Sequence, residues 1–329
     1  LGCTDSLALN FDPLANTDDG TCCGAETYLS FGTQIGQDID GNWSYLGDYL
    51  GDAISLNADG NIMAIGSPGA GVNSMGDFAR GNVTIYEEIN NVWNIIGQIE
   101  GESPYDNSGN EVSLSDDGFT VAIGAMGNDA NGSSSGHVRI YNYNGSSWNQ
   151  IGGDIDGESA DDHSGQSLSI SSDGNTVAIG ASYNDGNGAE SGHTRIYNYN
   201  GSSWNQLGAD INGENPGDHS GISVSLSDDG SIVAIGAPYN NDNGSGTGHV
   251  RIYNYNGSSW NQIGDDIDGE VADDRSGYAV SLSGNGNTVA ISAPANDNNG
   301  INSGTVRMYS WGGASWIKLG SDIDGEAAE

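Results

Sequence analysis

The chain has 329 residues, and its seven Lys and Arg stand against 45 Asp and Glu, a formal net charge of -38. A field of that sign repels nucleic acid and anionic membrane, which argues against both as partners, and no apolar run approaches the roughly 20 residues that cross a bilayer. The acids are mostly Asp, which suits a solvated surface in a salty medium and also Ca²⁺ binding.

Residues 1 to 24 form a first segment with turn residues throughout and no strand alternation. Its opening, LGCTDS, has neither the basic nor the apolar region of a signal peptide, so the chain reads as a mature or trimmed form. All three cysteines, Cys3, Cys22 and Cys23, lie here, which fits a local disulfide in an oxidising compartment better than a redox site. A Cys3–Cys22 bridge would close a loop of about 20 residues and stabilise it by roughly 3 kcal/mol, and Cys23 could take the place of Cys22. One cysteine is then left over or pairs elsewhere.

Thr33 to Gly41 (TQIGQDIDG) reads as an outer strand with no inner strands before it. After it the chain repeats itself. GHVRIYNYNGSSWNQIG, at Gly136 to Gly152, returns almost unchanged at Gly192 to Gly208 and Gly248 to Gly264, and Trp93, Trp148, Trp204, Trp260 and Trp316 fall 55, 56, 56 and 56 residues apart. Five repeats cover about 51–102, 109–158, 165–214, 221–270 and 277–326. The fourth shows the elements most clearly. Ser223 to Ser227 alternates small polar with apolar; Asp229-Gly230 is a tight turn; Ile232 to Ala237 is a continuous apolar run expected to be covered on both faces; His249 to Tyr255, the Asn256-Gly257 turn and Trp260 to Ile267 complete four strands. A period of this size with four strands per unit predicts an all-β fold, a β-propeller of four-stranded blades occupying residues 25–329. Either five blades close the ring, or the chain is part of a ring of six or seven. The orphan strand and the last repeat's own fourth strand favour the second arrangement.

The first two strands of each repeat resemble the FG-GAP repeats of integrin α-subunit propellers. The copies are Gly221 to Pro238 (GISVSLSDDGSIVAIGAP), Gly277 to Pro294, Gly51 to Pro68, and two without the Pro that end at Met126 and Ser182. The W-x-Q-I-G-x-D-I-D-G-E strand is similar to bacterial and algal variants of that repeat. The resemblance implies an extracellular propeller used in adhesion or recognition. It does not carry over the family's Ca²⁺ loop: only short turns such as Asp117-Gly118, Asp173-Gly174 and Asn285-Gly286 remain, too few oxygens for an ion that takes six to eight. The first segment resembles a short Cys module, GCTDxxAxNYDPxAxxDDGSC, of secreted and surface proteins of marine microbes. There Asp5, Asp12, Asp18 and Asp19 are candidate cation ligands or plain acidic turn residues.

A second set of candidate Ca²⁺ ligands lies between the second and third strands: Asn128, Asp129 and Asn131; Asn184, Asp185 and Asn187; Asn241 and Asp242; Asn296, Asp297 and Asn299. Oxygens at alternate positions before a Gly resemble the start of a Ca²⁺ loop, and the same residues equally suit Asx turns. Arg139, Arg195, Arg251 and Arg307 share one position of the third strand, beside Asp154 and Asp156 or Asp266 and Asp268 of the fourth, and read as a repeated structural ion pair, either across the strands or from blade to blade. His137, His193 and His249 precede that strand; His163 and His219 lie in DHSG turns, where Arg275 and Ser108 substitute. All of them track the repeat, and neighbours on one turn do not supply a Ser-His-Asp geometry, so nothing points to an enzyme or an organic cofactor. Asn144, Asn200 and Asn256 are sequons on hairpin turns, glycosylated if the source is eukaryotic; Asn42, Asn82, Asn131 and Asn243 also match. Tyr141, Tyr143 and Trp148 recur in the next two repeats, either as packing between blades or as a sugar-stacking platform.

The expected function is a non-enzymatic extracellular adhesion or structural surface module that recognises other surface or matrix proteins, or itself, through propeller loops. The alternative is a Ca²⁺-assisted, lectin-like propeller that binds glycans.

Overall fold

The computed structural model describes residues 34–41, 47–71 and 79–326. Cys3, Cys22, Cys23, the four Asp of the first segment and Asn42 lie outside the described residues. By contacts the chain divides into Leu1–Ile39 with Glu88–Trp93, and Asp40–Glu87 with Asn94–Glu329.

The larger unit is all β. Its five antiparallel sheets follow the five repeats: β1 (Ile54–Leu56), β2 (Ile62–Ser67), β3 (Asn82–Glu88) and β4 (Trp93–Glu100); β5 (Glu111–Leu114), β6 (Thr120–Ala125), β7 (His137–Tyr143), β8 (Trp148–Gln150) and β9 (Ile155–Asp156); β10 (Ser167–Ile170), β11 (Thr176–Ala181), β12 (His193–Tyr199), β13 (Trp204–Gln206) and β14 (Ile211–Asn212); β15 (Ser223–Leu226), β16 (Ile232–Ala237), β17 (His249–Tyr255), β18 (Trp260–Gln262) and β19 (Ile267–Asp268); β20 (Val280–Leu282), β21 (Thr288–Ala293), β22 (Thr305–Trp311) and β23 (Trp316–Asp324). Strands pair in chain order within each sheet, the meander of a propeller blade.

No blade buries both of its faces alone, so the core lies in the seams. Between blades 2 and 3, Ala122, Val138, Ile140 and Ile155 of one sheet pack on Leu168, Ile170, Val177 and Ile179 of the next, with Tyr197 and Trp204 against the same cluster. Three more clusters of the same composition fill the other seams. The continuous apolar runs are therefore buried at every position, as in β6 and β11. The inner strands touch in the order β1, β5, β10, β15, β20. There the small polar residue has a use: the N–H of Leu114, Ile170, Leu226 and Leu282 donates to Oγ of Ser55, Ser113, Ser169 and Ser225 across the seam at 2.9–3.1 Å.

The outer strand is broken in blades 2 to 4, where both halves pair with the third strand. Gly152 makes the break with a φ of 71°, and a Cβ there would lie 2.6 Å from Cδ1 of Trp204, whose ring comes from the next blade. The indole N–H of Trp204 then donates to the Ile151 carbonyl at 2.9 Å, and Trp260 and Trp316 repeat the bond to Leu207 and Ile263. Blade 1 is one residue shorter here, Gly97-Gln98 standing for Gly152-Gly153-Asp154, so the tryptophan spacing falls to 55; β4 runs unbroken, as does the full-length β23, whose pairing with β22 carries a register shift.

In the smaller unit, the described residues 34–39 carry no strand. Side chains hold them instead. Trp93 donates its indole N–H to the Ile35 carbonyl at 3.0 Å, and Gln37 pairs through its amide with the Trp93 backbone at 2.8 and 3.1 Å. The Trp93 bond repeats the contact that Trp204 makes with Ile151.

Candidate functional site

Two sets of loops meet at one end of the larger unit: the Ser-Gly turns before each first strand and the Asn/Asp-rich loops after each second strand. They are tied by a repeated buried bond, in which Asn184, Asn240 and Asn296 donate to the carboxylates of Asp162, Asp218 and Asp274 at 2.9–3.1 Å. On this frame the rings form a strip. His163 meets Tyr183 edge-on at 4.9 Å between centroids, Tyr183 meets His219 at 4.8 Å, His219 meets Tyr239 at 5.1 Å, and the Arg275 guanidinium lies over Tyr239 at 5.6 Å. Tyr183 is 37% exposed. Asn107, rather than Ser108, holds the place of His163 in the preceding turn, and there a cavity of about 490 Å³ opens among Tyr49, Asp52, Tyr105, Asn107, Asn110 and Met126.

The face thus offers ring faces, imidazole nitrogens, amides and carboxylates. Such a mixture stacks on and hydrogen-bonds to sugars, or receives aromatic and basic side chains of a protein. The DDHSG turn disperses its three functional groups. The imidazole of His163 packs on Tyr183, Ser164 is buried, and Asp162 accepts from Ser159 N–H at 3.0 Å and from Asn184.

In the Asn/Asp loops the side-chain oxygens accept from their own loop backbone. Asn128 Oδ1 accepts from Ala130 N–H, Asn184 Oδ1 from Gly186, and Asn296 Oδ1 from Asn298, at 2.7–3.0 Å. Asp129, Asp185, Asn241 and Asp297 each accept from the residue five positions on, at 2.7–2.8 Å. Asn131, Asn187 and Asn299 donate outward to the carbonyls of Gly157, Gly213 and Gly325. Asp242 differs, standing with Glu214 and His249 in a group close enough to share an ion.

The arginines pair across the seams, but with a partner other than the neighbouring strand's Asp154, Asp156, Asp266 or Asp268. Arg139, Arg195 and Arg251 reach Glu102, Glu158 and Glu214 of the preceding blade at 3.3–3.4 Å, and Nη2 of each donates to the preceding blade's outer-strand carbonyl, Glu100, Asp156 or Asn212, at 2.7–2.9 Å. Blade packing decides the partner: the third-strand side chain that faces a seam meets the loop leaving the blade before it. Only Arg307 also takes its own blade's acid, Asp322, at 3.1 Å, alongside Glu270 at 3.0 Å. Two residues earlier on the same face, burial and then the adjacent Arg195 pull His193 down to about 4, and His137 and His249 are lowered for the same reasons. All three imidazoles are neutral at pH 7. Burial, reinforced by Asp52, pushes Glu111 up to about 7.

Tyr141, Tyr197 and Tyr253 pack into the seam clusters with Trp148, Trp204 and Trp260. Asn144, Asn200 and Asn256 are exposed, each capping its hairpin by accepting from the Ser two residues on at 3.0 Å. Tyr183, Tyr239 and the cavity residues escape a reading based on strands, since they lie in loops. Their signal is the Tyr-Asn that follows the second strand, repeated at Tyr183-Asn184 and Tyr239-Asn240 next to DHSG turns.

Residues 100–141, 212–253 and 267–309 match the FG-GAP repeat family, so the chain carries three repeats like those of FG-GAP-type repeat proteins. No curated protein sequence matches it. Among solved structures it is similar to a functionally unknown protein from Desulfotomaculum acetoxidans DSM 771, at 14% identity and a TM-score of 0.56, over 88% of this chain and 74% of that one. That likeness concerns the fold alone.

Proposed function

We propose that this protein is a non-enzymatic recognition module of the cell surface or extracellular medium, which binds other surface or matrix proteins through the loop face. The observation that carries the reading is the strip His163, Tyr183, His219, Tyr239 and Arg275, in which rings from successive blades stand edge to face on a rigid frame. Aromatic and Arg side chains are the groups that supply most binding energy at protein interfaces, and blades fixed by buried seams present them at little cost in ordering. The FG-GAP repeats support an extracellular setting. The net charge of -38 favours basic or neutral partners over anionic ones.

The same strip favours one second reading, a lectin-like module, because sugars stack on Tyr faces and hydrogen-bond to the surrounding amides and acids. Ca²⁺ would then assist through the Asn/Asp loops. Immobilised protein is to be screened against a panel of matrix proteins and a glycan array, with and without millimolar Ca²⁺. Binding to a protein component supports the first reading and glycan binding the second. Robust hydrolase activity together with silence on both panels would sink the two.

A further inference from the structure

Beneath the Asn/Asp loops, each seam between blades 1 and 4 holds a buried histidine facing carboxylates from two blades. The groups are Glu102, His137 and Asp154; Glu158, His193 and Asp210; and, around His249, Glu214 with Asp242 on one side and Asp266 with Asp268 on the other, the ligand atoms of each group lying within 4.8 Å of one another. The three imidazoles are at most 1% exposed. Both ring nitrogens of His137 and His249 and Nε2 of His193 have no hydrogen-bond partner, and Asp156 Oδ1 and Asp218 Oδ1 nearby also have none. Buried polar atoms left in this way call for an explanation, since each costs its full desolvation.

The surrounding groups leave one acceptor on each side free for a cation. Glu158 turns Oε1 to Arg195 at 3.4 Å and Oε2 to His193 Nδ1 at 4.0 Å. Asp266 accepts from Gln262 on Oδ1 at 2.6 Å and faces His249 Nδ1 with Oδ2 at 3.5 Å. Gln150 and Gln206 hold Asp154 and Asp210 in the same manner, at 2.5 and 2.6 Å. Arg and Gln therefore orient the carboxylates from behind, as outer-shell partners do around bound metals.

Blade 5 shows what these carboxylates take when the histidine is gone. Thr305 replaces it, and Lys318, the chain's single lysine, replaces the Gln. Its ammonium lies between Glu270, at 3.2 Å, and Asp322, the counterparts of Glu158 and Asp210. A positive charge thus fills the seam between blades 4 and 5 from within the chain. Blade 1 has neither device, with Asn82 for the histidine and Gln98 for the Asp.

We propose that the histidine seats of blades 2, 3 and 4 each bind one divalent transition-metal ion, Zn²⁺ being the type, which ties neighbouring blades together as Lys318 ties blades 4 and 5. One imidazole nitrogen and two carboxylate oxygens form a borderline donor set that suits Zn²⁺, while Ca²⁺ and Mg²⁺ prefer oxygen alone. Ligands about 2.1 Å from zinc stand roughly 3.4 Å apart, so the sets, whose atoms lie within 4.8 Å of one another and whose closest His–carboxylate pairs stand at 3.5–4.0 Å, would contract by up to about 1.4 Å around an ion. The Glu members are about half exposed, which leaves a path for the ion and room for water in its remaining position.

The test is equilibrium dialysis of the metal-stripped full chain against Zn²⁺ in the presence of about 1 mM Ca²⁺, the weak end of the Ca²⁺ affinities of extracellular modules, followed by elemental analysis. The expected result is three retained zinc ions per chain, and three equivalents of Co²⁺ giving visible absorption bands. His193→Thr with Gln206→Lys rebuilds the blade 3 seat as blade 5 has it, so it should keep the fold and retain two ions. Glu158→Gln, which leaves the histidine in place, should weaken one of the three sites about 10- to 100-fold. No zinc held against Ca²⁺, or three ions still held by the double variant, overturns the proposal.

Discussion

A methyl group added at Gly180 is the sharpest probe of the seams. Its Cβ would lie 3.0 Å from the Gly221 carbonyl carbon, and its carbonyl oxygen is nearer still; Gly221 belongs to the turn leading into the next blade. The clash is with backbone, so no side chain can swing away, and relief requires the two sheets to part. Gly180 lacks the positive φ that would add a conformational cost, so the effect is one of packing. Overpacking of this kind costs about 3 kcal/mol. In a unit of this size each kcal/mol lowers Tm by ~3 °C, so Gly180→Ala should melt about 9 °C below the parent. The control is Gly153→Ala, whose Cβ would meet nothing within 4 Å and whose φ is ordinary; it should leave Tm unchanged or raise it slightly. Differential scanning fluorimetry with calorimetry on both variants decides the matter. Equal melting temperatures would refute the close approach of the blades.

Ile196 and Met308 hold the same strand position in blades 3 and 5, but Ile196 is 1% exposed in a seam and Met308 is 37% exposed. Ile196→Ala should cost about 3 kcal/mol and Met308→Ala less than about 1 kcal/mol in urea titrations. The folded protein holds the Glu111 proton up to about pH 7, against 4.5 in the unfolded chain. This contribution is therefore complete below pH 4.5, fades as pH rises to 7 and is constant above it. Glu111→Gln should remove about 3 kcal/mol of that decline, measured as the difference in urea stability between pH 4.5 and 8.

Much of the fold was legible because each repeat is an independent copy of the same evidence: turns at Asp-Gly and Asn-Gly, and runs such as Ile232 to Ala237 that belong between two covered faces. What strand patterns do not encode is which residues face each other across a seam. The sequence leaves Arg139 and Arg251 a pair across the strands or from blade to blade; packing selects the second, with Glu102 and Glu214 of the blade before as the acids. His137, His193 and His249 were visible as a periodic set, but their unpartnered nitrogens and two-blade carboxylate surroundings exist only in three dimensions. Tyr183 and Tyr239 went unmarked because loops carry no period-two signal, and their edge-on contacts join residues 20 and 36 positions apart. The one-residue change in tryptophan spacing is plain in the sequence, as Gly97-Gln98 where the later blades have three residues.

The central claim is that the Tyr and His strip is a recognition surface. The direct measurement is biolayer interferometry of the parent and of Tyr183→Ser with Tyr239→Ser against the matrix protein or glycan that the parent binds. The double variant should lose at least tenfold in affinity, with Tm within about 3 °C of the parent, since Tyr183 is exposed and outside the seam clusters. Undiminished affinity in a folded double variant would contradict it.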